Sequence, residues 1–117
     1  MAGELGVSNY DEQVRATRAK FIARIDATLD GIVEAMSSDS VIARETQARR
    51  VHRLLHDMAG NAAMLDLTSL SQKLRQGVEL AEGADDENRT ITPEESAAIR
   101  AVVEDARLIG RALTERV

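Results

Sequence analysis

Residues 51–67 have the sequence VHRLLHDMAGNAAMLDL, which is the best guide to the fold of this chain. At about 100° per residue, its apolar side chains fall within a sector about 100° wide on one face of a helix. They are Val51, Leu54, Leu55, Met58, Ala62 and Leu65. His56 lies about 150° from the middle of that sector, so we expect its imidazole to face solvent. The pattern predicts an amphipathic helix from about Val41 to Leu65.

A second periodic segment precedes this helix. Its apolar stripe begins with Val14 and continues to Met36 at helical spacing, which predicts one long helix that starts near Asp11. Residues 1–8 are expected to be a loose N-terminal segment. The small polar cluster at residues 37–40, Ser-Ser-Asp-Ser, predicts a break before the next helix.

Two more helices are predicted after residue 66. The third ends near Gly83, is capped by Asp66 or Thr68, and has a stripe of Leu67, Leu70, Leu74, Val78 and Ala81. An acidic loop follows at residues 85–88. The fourth helix starts at Thr92-Pro93-Glu94-Glu95, which combines a Thr cap, proline at the first position and Glu at the third. Its stripe continues to Val117.

Four amphipathic helices with short connections predict an all-α fold. No one of them can bury its stripe alone, so we expect an antiparallel up-and-down four-helix bundle forming a single domain over residues 1–117. Hydrophobic residues make up 44% of the chain, yet it has one Phe, one Tyr and no Trp. The core must therefore consist of aliphatic side chains, Met and Ala.

Charge and composition narrow the classes of function. The formal net charge of −5 argues against nucleic-acid binding, which needs a basic surface. The absence of cysteine excludes disulfides and thiolate zinc sites. The N-terminus lacks a secretory pattern, and no apolar run approaches the roughly 18 residues that span a bilayer. We expect a cytoplasmic protein, monomeric, with protein partners and no membrane association.

Gly60 lies one helical turn after His56. A glycine inside a helix costs about 1 kcal/mol relative to alanine, so its presence beside an exposed histidine suggests that something approaches the imidazole closely. Ala59 and Ala63 are expected to be exposed on either side of His56 and to form a smooth docking patch with it.

The sequence around His56 resembles the histidine-containing phosphotransfer (HPt) domains of phosphorelays. In register with that family's motif, His56 falls on the phosphorylated histidine, Met58 on a Leu and Gly60 on a Gly. Ala62 falls on the motif's Ala and Leu65 on a later Leu.

The chain departs from the motif at three positions. Ala59 stands where the family usually has Lys, Asn61 where it often has Ser, and Asp66 where Gly is common.

The resemblance implies a phosphocarrier in signal transduction rather than a stand-alone enzyme. His56 would accept a phosphoryl group from an aspartate of a response-regulator receiver domain and pass it to another receiver. A hybrid histidine kinase would supply phosphoryl groups to the relay. The receiver brings the magnesium ion, so no cofactor is expected on this chain. An imidazole suits the role because its ordinary pKa of about 6.5 leaves a nucleophilic lone pair at neutral pH.

The missing lysine leaves two alternatives. Another cation could stabilise the phosphoryl oxygens: Arg53 on the same helix, or Lys73 or Arg75 on the next. Otherwise the chain is a degenerate bundle that binds a receiver or kinase without carrying phosphate.

His52 and His56 are one turn apart, a spacing that can hold a metal. The pair has no Glu between its members in the zinc-protease arrangement, and a third ligand would have to come from another helix. Metal-dependent hydrolysis is therefore a third hypothesis. His52, at the boundary of the apolar sector, is expected to pack and hydrogen-bond, and is the second choice for phosphorylation.

Overall fold

The structure, a computed structural model, describes residues 2–37 and 45–115. Within these ranges the chain forms helices joined by short turns, without strands. The helices are α1 (Ala2–Ala23), α2 (Ile25–Ser37), α3 (Gln47–Met64), α4 (Thr68–Asp86) and α5 (Pro93–Glu115). The all-α prediction is confirmed.

Helices α2 to α5 enclose one aliphatic core. Helix α3 packs on α2 and α4, and α5 packs on α4 and α2, so the four helices close a ring of contacts. Each contributes fully buried side chains, among them Leu29, Leu55, Leu74 and Ile99. The stripes read from the sequence are thus the faces that the helices bury against one another.

The first predicted helix is two helices. A turn at Arg24, whose N–H donates to the Phe21 carbonyl at 3.0 Å, separates α1 from α2. The predicted start near Asp11 is wrong, because α1 begins at Ala2. Residues 9–20 are exposed, and burial starts only in the last turn at Ile22.

Helix α3 begins later than predicted. Its N-cap is Thr46, whose Oγ1 accepts a hydrogen bond from the Arg49 N–H at 3.1 Å. Glu45 and Thr46 are not helical, which corrects the predicted start at Val41. Residues 41–44 lie outside the described residues, as do residues 38–40 of the predicted Ser-rich break.

The turn from α3 to α4 is set by Asp66, which has a φ of 60°. The Leu67 N–H donates to the Ala62 carbonyl at 2.9 Å, and the Asp66 N–H to the Ala63 carbonyl at 3.2 Å. This is a Schellman turn. The predicted cap at Asp66 or Thr68 is wrong: Leu67 occupies the N-cap position without a side-chain hydrogen bond. Leu67 is buried, because the turn directs it into the core.

Helix α4 continues past Gly83 to Asp86, so Asp85 and Asp86 belong to the helix rather than to the predicted acidic loop. A second Schellman turn ends it, with Asn88 at a φ of 53°. The Arg89 N–H donates to the Ala84 carbonyl at 3.0 Å.

The predicted capping box of α5 is confirmed. The Glu95 N–H donates to Thr92 Oγ1 at 3.1 Å, and the Thr92 N–H donates to Glu95 Oε1 at 2.9 Å. Arg89 donates to both carboxylate oxygens of Glu95, at 2.7 and 3.0 Å. Together, the Arg89 and Thr92 hydrogen bonds lower the pKa of Glu95 to about 2. Val117, the predicted end of the stripe, lies outside the described residues.

Candidate functional site

His56 lies in the middle of α3, and 72% of its side chain is exposed. The prediction that it faces solvent is confirmed. Its Nδ1 is 3.9 Å from Asp57 Oδ1, too far for a hydrogen bond. Within the described part of the chain neither ring nitrogen has a hydrogen-bond partner, so the imidazole is open to an incoming group.

An open groove of about 370 Å³ lies beside the ring, between α3 and α4. Its lining consists of His56, Ala59, Gly60, Arg75, Val78, Glu79 and Glu82. The groove therefore has His56 on its α3 side, and Arg75, Glu79 and Glu82 on its α4 side.

Gly60 leaves one side of this groove without a side chain. It is exposed, and a Cβ placed on it would have no heavy atom within 4 Å. Gly77 differs, since a Cβ there would lie 3.1 Å from Leu55 Cδ2 and meet the core. Packing inside the molecule thus requires a small residue at Gly77 but not at Gly60, where the free space is on the outer surface next to His56.

Ala59 is not part of an exposed patch. It is buried, with 4% of its surface accessible, which corrects the expectation that it flanks His56 in solvent. The buried Ser71 hydroxyl of α4 donates to the Ala59 carbonyl at 3.1 Å. Ala59 therefore lies where α3 and α4 are in contact. Ala63 is exposed, as expected, and Asn61 is exposed as well.

The three candidate cations lie in different places. Arg75 lines the groove with His56. The Lys73 ammonium is 3.4 Å from Asp105 Oδ2 and faces α5. Arg53 donates to both carboxylate oxygens of Glu45 at 2.9 Å. This hydrogen bonding lowers the pKa of Glu45 and engages Arg53 near the start of α3.

Glu79 and Glu82 line the groove but were not predicted from the sequence as site residues. Together with Arg75 and Val78 they recur at helical spacing along one edge of α4, beside the buried stripe. That spacing marks them as one edge of the helix. It does not say whether this edge or the opposite one adjoins α3, so the pattern alone could not place them beside His56.

His52 packs and hydrogen-bonds, as predicted. It is half-buried, and its Nδ1 lies 2.9 Å from Asp85 Oδ2 on α4. Arg49 Nε is 3.6 Å from the other oxygen of Asp85. The ring centroids of His52 and His56 are 6.4 Å apart in an edge arrangement. In the parts of the chain that the structure describes, no three His, Cys, Asp or Glu side chains are grouped so that they could hold a metal ion.

Comparison of the chain with protein-family models, curated proteins and solved structures found no significant match. Among residues 2–37 and 45–115, no helix has the length and apolar character needed to cross a lipid bilayer.

Proposed function

We propose that the chain is a histidine phosphotransfer protein of the HPt family and that His56 carries the phosphoryl group. The observation that carries this proposal is the exposed imidazole on α3, which stands over an open groove next to a glycine whose small size internal packing does not require. These features are what the transfer needs, because a partner's active site must close over the ring.

The transfer is a displacement at phosphorus. The lone pair of a neutral His56 nitrogen attacks the phosphorus of an aspartyl phosphate on a receiver domain. The N–P bond forms, the P–O bond to the aspartyl carboxylate breaks, and the carboxylate leaves with the bonding electrons. The reverse reaction passes the phosphoryl group to a second receiver. Because phosphoryl transfer depends mainly on position and charge stabilisation, this chain need only present the imidazole, while the receiver supplies the aspartate and its magnesium ion.

We further propose that α2 to α5 form the antiparallel up-and-down four-helix bundle expected of such a protein. The closed ring of contacts among these helices and the tight turn between α3 and α4 support that topology. In this arrangement α1 precedes the bundle and leads into the N-terminal end of α2. The protein would act as a monomer in the cytoplasm.

Phosphorylation tests the assignment. Incubation with ATP, a hybrid histidine kinase and a receiver domain should give the chain an acid-labile, alkali-stable phosphate. His56→Ala should lose this label, since the nucleophile is gone. His52→Gln is the matched control on the same helix and should keep it. Normal labelling of His56→Ala would show that His56 is not the acceptor.

One observation favours a second function. Ala59, at the position of the family's lysine, is buried and brings no cation to His56. A protein without phosphoryl stabilisation could still bind a receiver or kinase as a plain interaction module. That function predicts partner binding which is unchanged in His56→Gln, together with no phosphate uptake by the native chain.

A further inference from the structure

We propose that Arg75 binds the phosphoryl group on His56 and so replaces, from the neighbouring helix, the cation that Ala59 does not supply. This inference rests on the proposed function, since it deepens the chemistry of the same site. Its starting point is that α4 places Arg75 in the groove with His56, while Lys73 and Arg53 are engaged elsewhere.

The charges that line the groove favour a role for Arg75 in binding the phosphoryl group. Arg75 is the one cation among the residues that line the groove, and Glu79 and Glu82 add two carboxylates. A phosphoryl group on His56 brings nearly two further negative charges into this space. Without Arg75 the surroundings would be wholly anionic, and they would disfavour both the phosphorylated histidine and the transition state that leads to it.

Arg75 is also available. Among the described residues its guanidinium forms no ion pair within 4.0 Å, whereas Arg49, Arg53, Arg89 and Arg107 all do. A guanidinium can offer two parallel N–H donors to phosphoryl oxygens, and such charge-assisted bonds are stronger than neutral ones. Because Arg75 is exposed and outside the core, its removal should leave folding intact.

The experiment uses phosphoramidate as the donor, which needs no partner protein. A His56 nitrogen attacks phosphorus, the new N–P bond forms, and ammonia leaves with the electrons of the broken P–N bond. The rate of uptake by the whole chain is followed by phosphorus NMR. We expect Arg75→Ala to slow uptake by about 3- to 10-fold, the range for a partly exposed charge-assisted contact. Arg75→Lys should recover part of the rate.

Two companion variants separate phosphoryl binding from a structural role. Glu82→Gln should speed uptake, because it removes negative charge from the groove. Arg111→Ala, which deletes an exposed arginine of α5, should leave the rate unchanged. In the wild-type chain, phosphorylation should shift the side-chain Nε–H resonance of Arg75, and Arg111 should not respond.

Equal uptake by wild type and Arg75→Ala, an unmoved Arg75 resonance, or no uptake on His56 at all would each overturn the inference. Failure of the proposed function looks different. In that case phosphoramidate still labels His56 in an Arg75-dependent way, but no receiver domain donates to the chain.

Discussion

Substitutions of Gly60 can separate its effect on helix stability from its effect on the access of a partner to His56. A Cβ there meets no heavy atom within 4 Å, so Gly60→Ala should raise the free energy of unfolding by about 0.5–1 kcal/mol through helix propensity. Gly60→Leu should also fold, yet it should slow phosphotransfer from a receiver by about tenfold or more, because the side chain fills the space beside His56.

Denaturant unfolding and receiver transfer rates measure these two effects. Gly31 on α2 is the matched control, since a Cβ there is equally uncrowded and the residue is away from the groove. Gly31→Ala should give a similar gain in stability without changing transfer. A Gly60→Leu variant that transfers at the wild-type rate would contradict the docking role of this surface.

Substitutions of Asp66 test how much the left-handed backbone conformation at this position affects stability. Its φ of 60° is a conformation that costs most residues about 1–2 kcal/mol and glycine almost nothing. Asp66→Gly should therefore keep or raise the free energy of unfolding, and Asp66→Ala should lower it by about 1 kcal/mol. Urea denaturation of the three proteins checks the order. If the alanine variant were as stable as the glycine variant, the left-handed turn would not be what position 66 requires.

Single residues also show what the sequence could and could not predict. The exposure of His56 followed from helical geometry alone, because the residue lies far from the apolar sector. Ala59 was placed wrongly, since alanine is neither apolar enough to mark a core position nor polar enough to mark a surface one. Ala59 is buried where α3 meets α4, beside Ser71, and the sequence of α3 alone does not show which of its residues α4 contacts.

At the scale of the helices, the capping box of α5 predicts a pH dependence. Hydrogen bonds from Arg89 and Thr92 lower the pKa of Glu95 from 4.5 to about 2 in the folded protein. The folded state therefore favours the charged carboxylate. The resulting stabilisation is complete above about pH 4.5 and is lost as pH falls towards 2.

Comparison with Glu95→Gln isolates this contribution. The difference in unfolding free energy between wild type and the variant should be constant near neutral pH and should shrink between pH 4.5 and 2. The exposed neighbour Glu94 provides the control Glu94→Gln, whose difference from wild type should change much less. A Glu95→Gln difference that stays constant down to pH 2 would show that the Arg89 contact does not hold the carboxylate charged.

The helices themselves were predicted more securely than their ends. Apolar stripes at a spacing of 3.6 residues identified the core faces of α2 to α5, and Thr92-Pro93-Glu94-Glu95 identified the start of α5 by its own chemistry. The turn at Arg24 has no such signal, because no glycine or proline marks it. The two Schellman turns have Asp66 and Asn88, respectively, at the left-handed position where glycine is usual. Neither helix end was therefore marked by a glycine at that position.

For the whole molecule, the groove beside His56 depends on how the helices are arranged around the core. A sequence shows which face of α4 is buried, but either edge of that face could adjoin α3. The arrangement found here sets Arg75, Glu79 and Glu82 beside His56 and turns Lys73 towards Asp105. The charged groups around the histidine are thus determined by helix packing, so the sequence alone cannot choose between Lys73 and Arg75.

The overall shape, 58 × 29 × 20 Å, is long for a chain of this size. We expect α1 to be locally less stable than α3 and α4. Residues 9–20 of α1 are exposed, so few tertiary contacts support them. Good helix formers and an Asp11–Arg15 spacing favour the helix, but isolated helices of this length are marginal in water.

We expect amides of residues 9–20 to exchange with deuterium within seconds, whereas those of α3 and α4 exchange only on near-global unfolding. Mass spectrometry of peptides from each helix measures this. Protection of residues 9–20 equal to that of α4 would mean that α1 is covered in solution, and the bundle would then include it as a fully packed element.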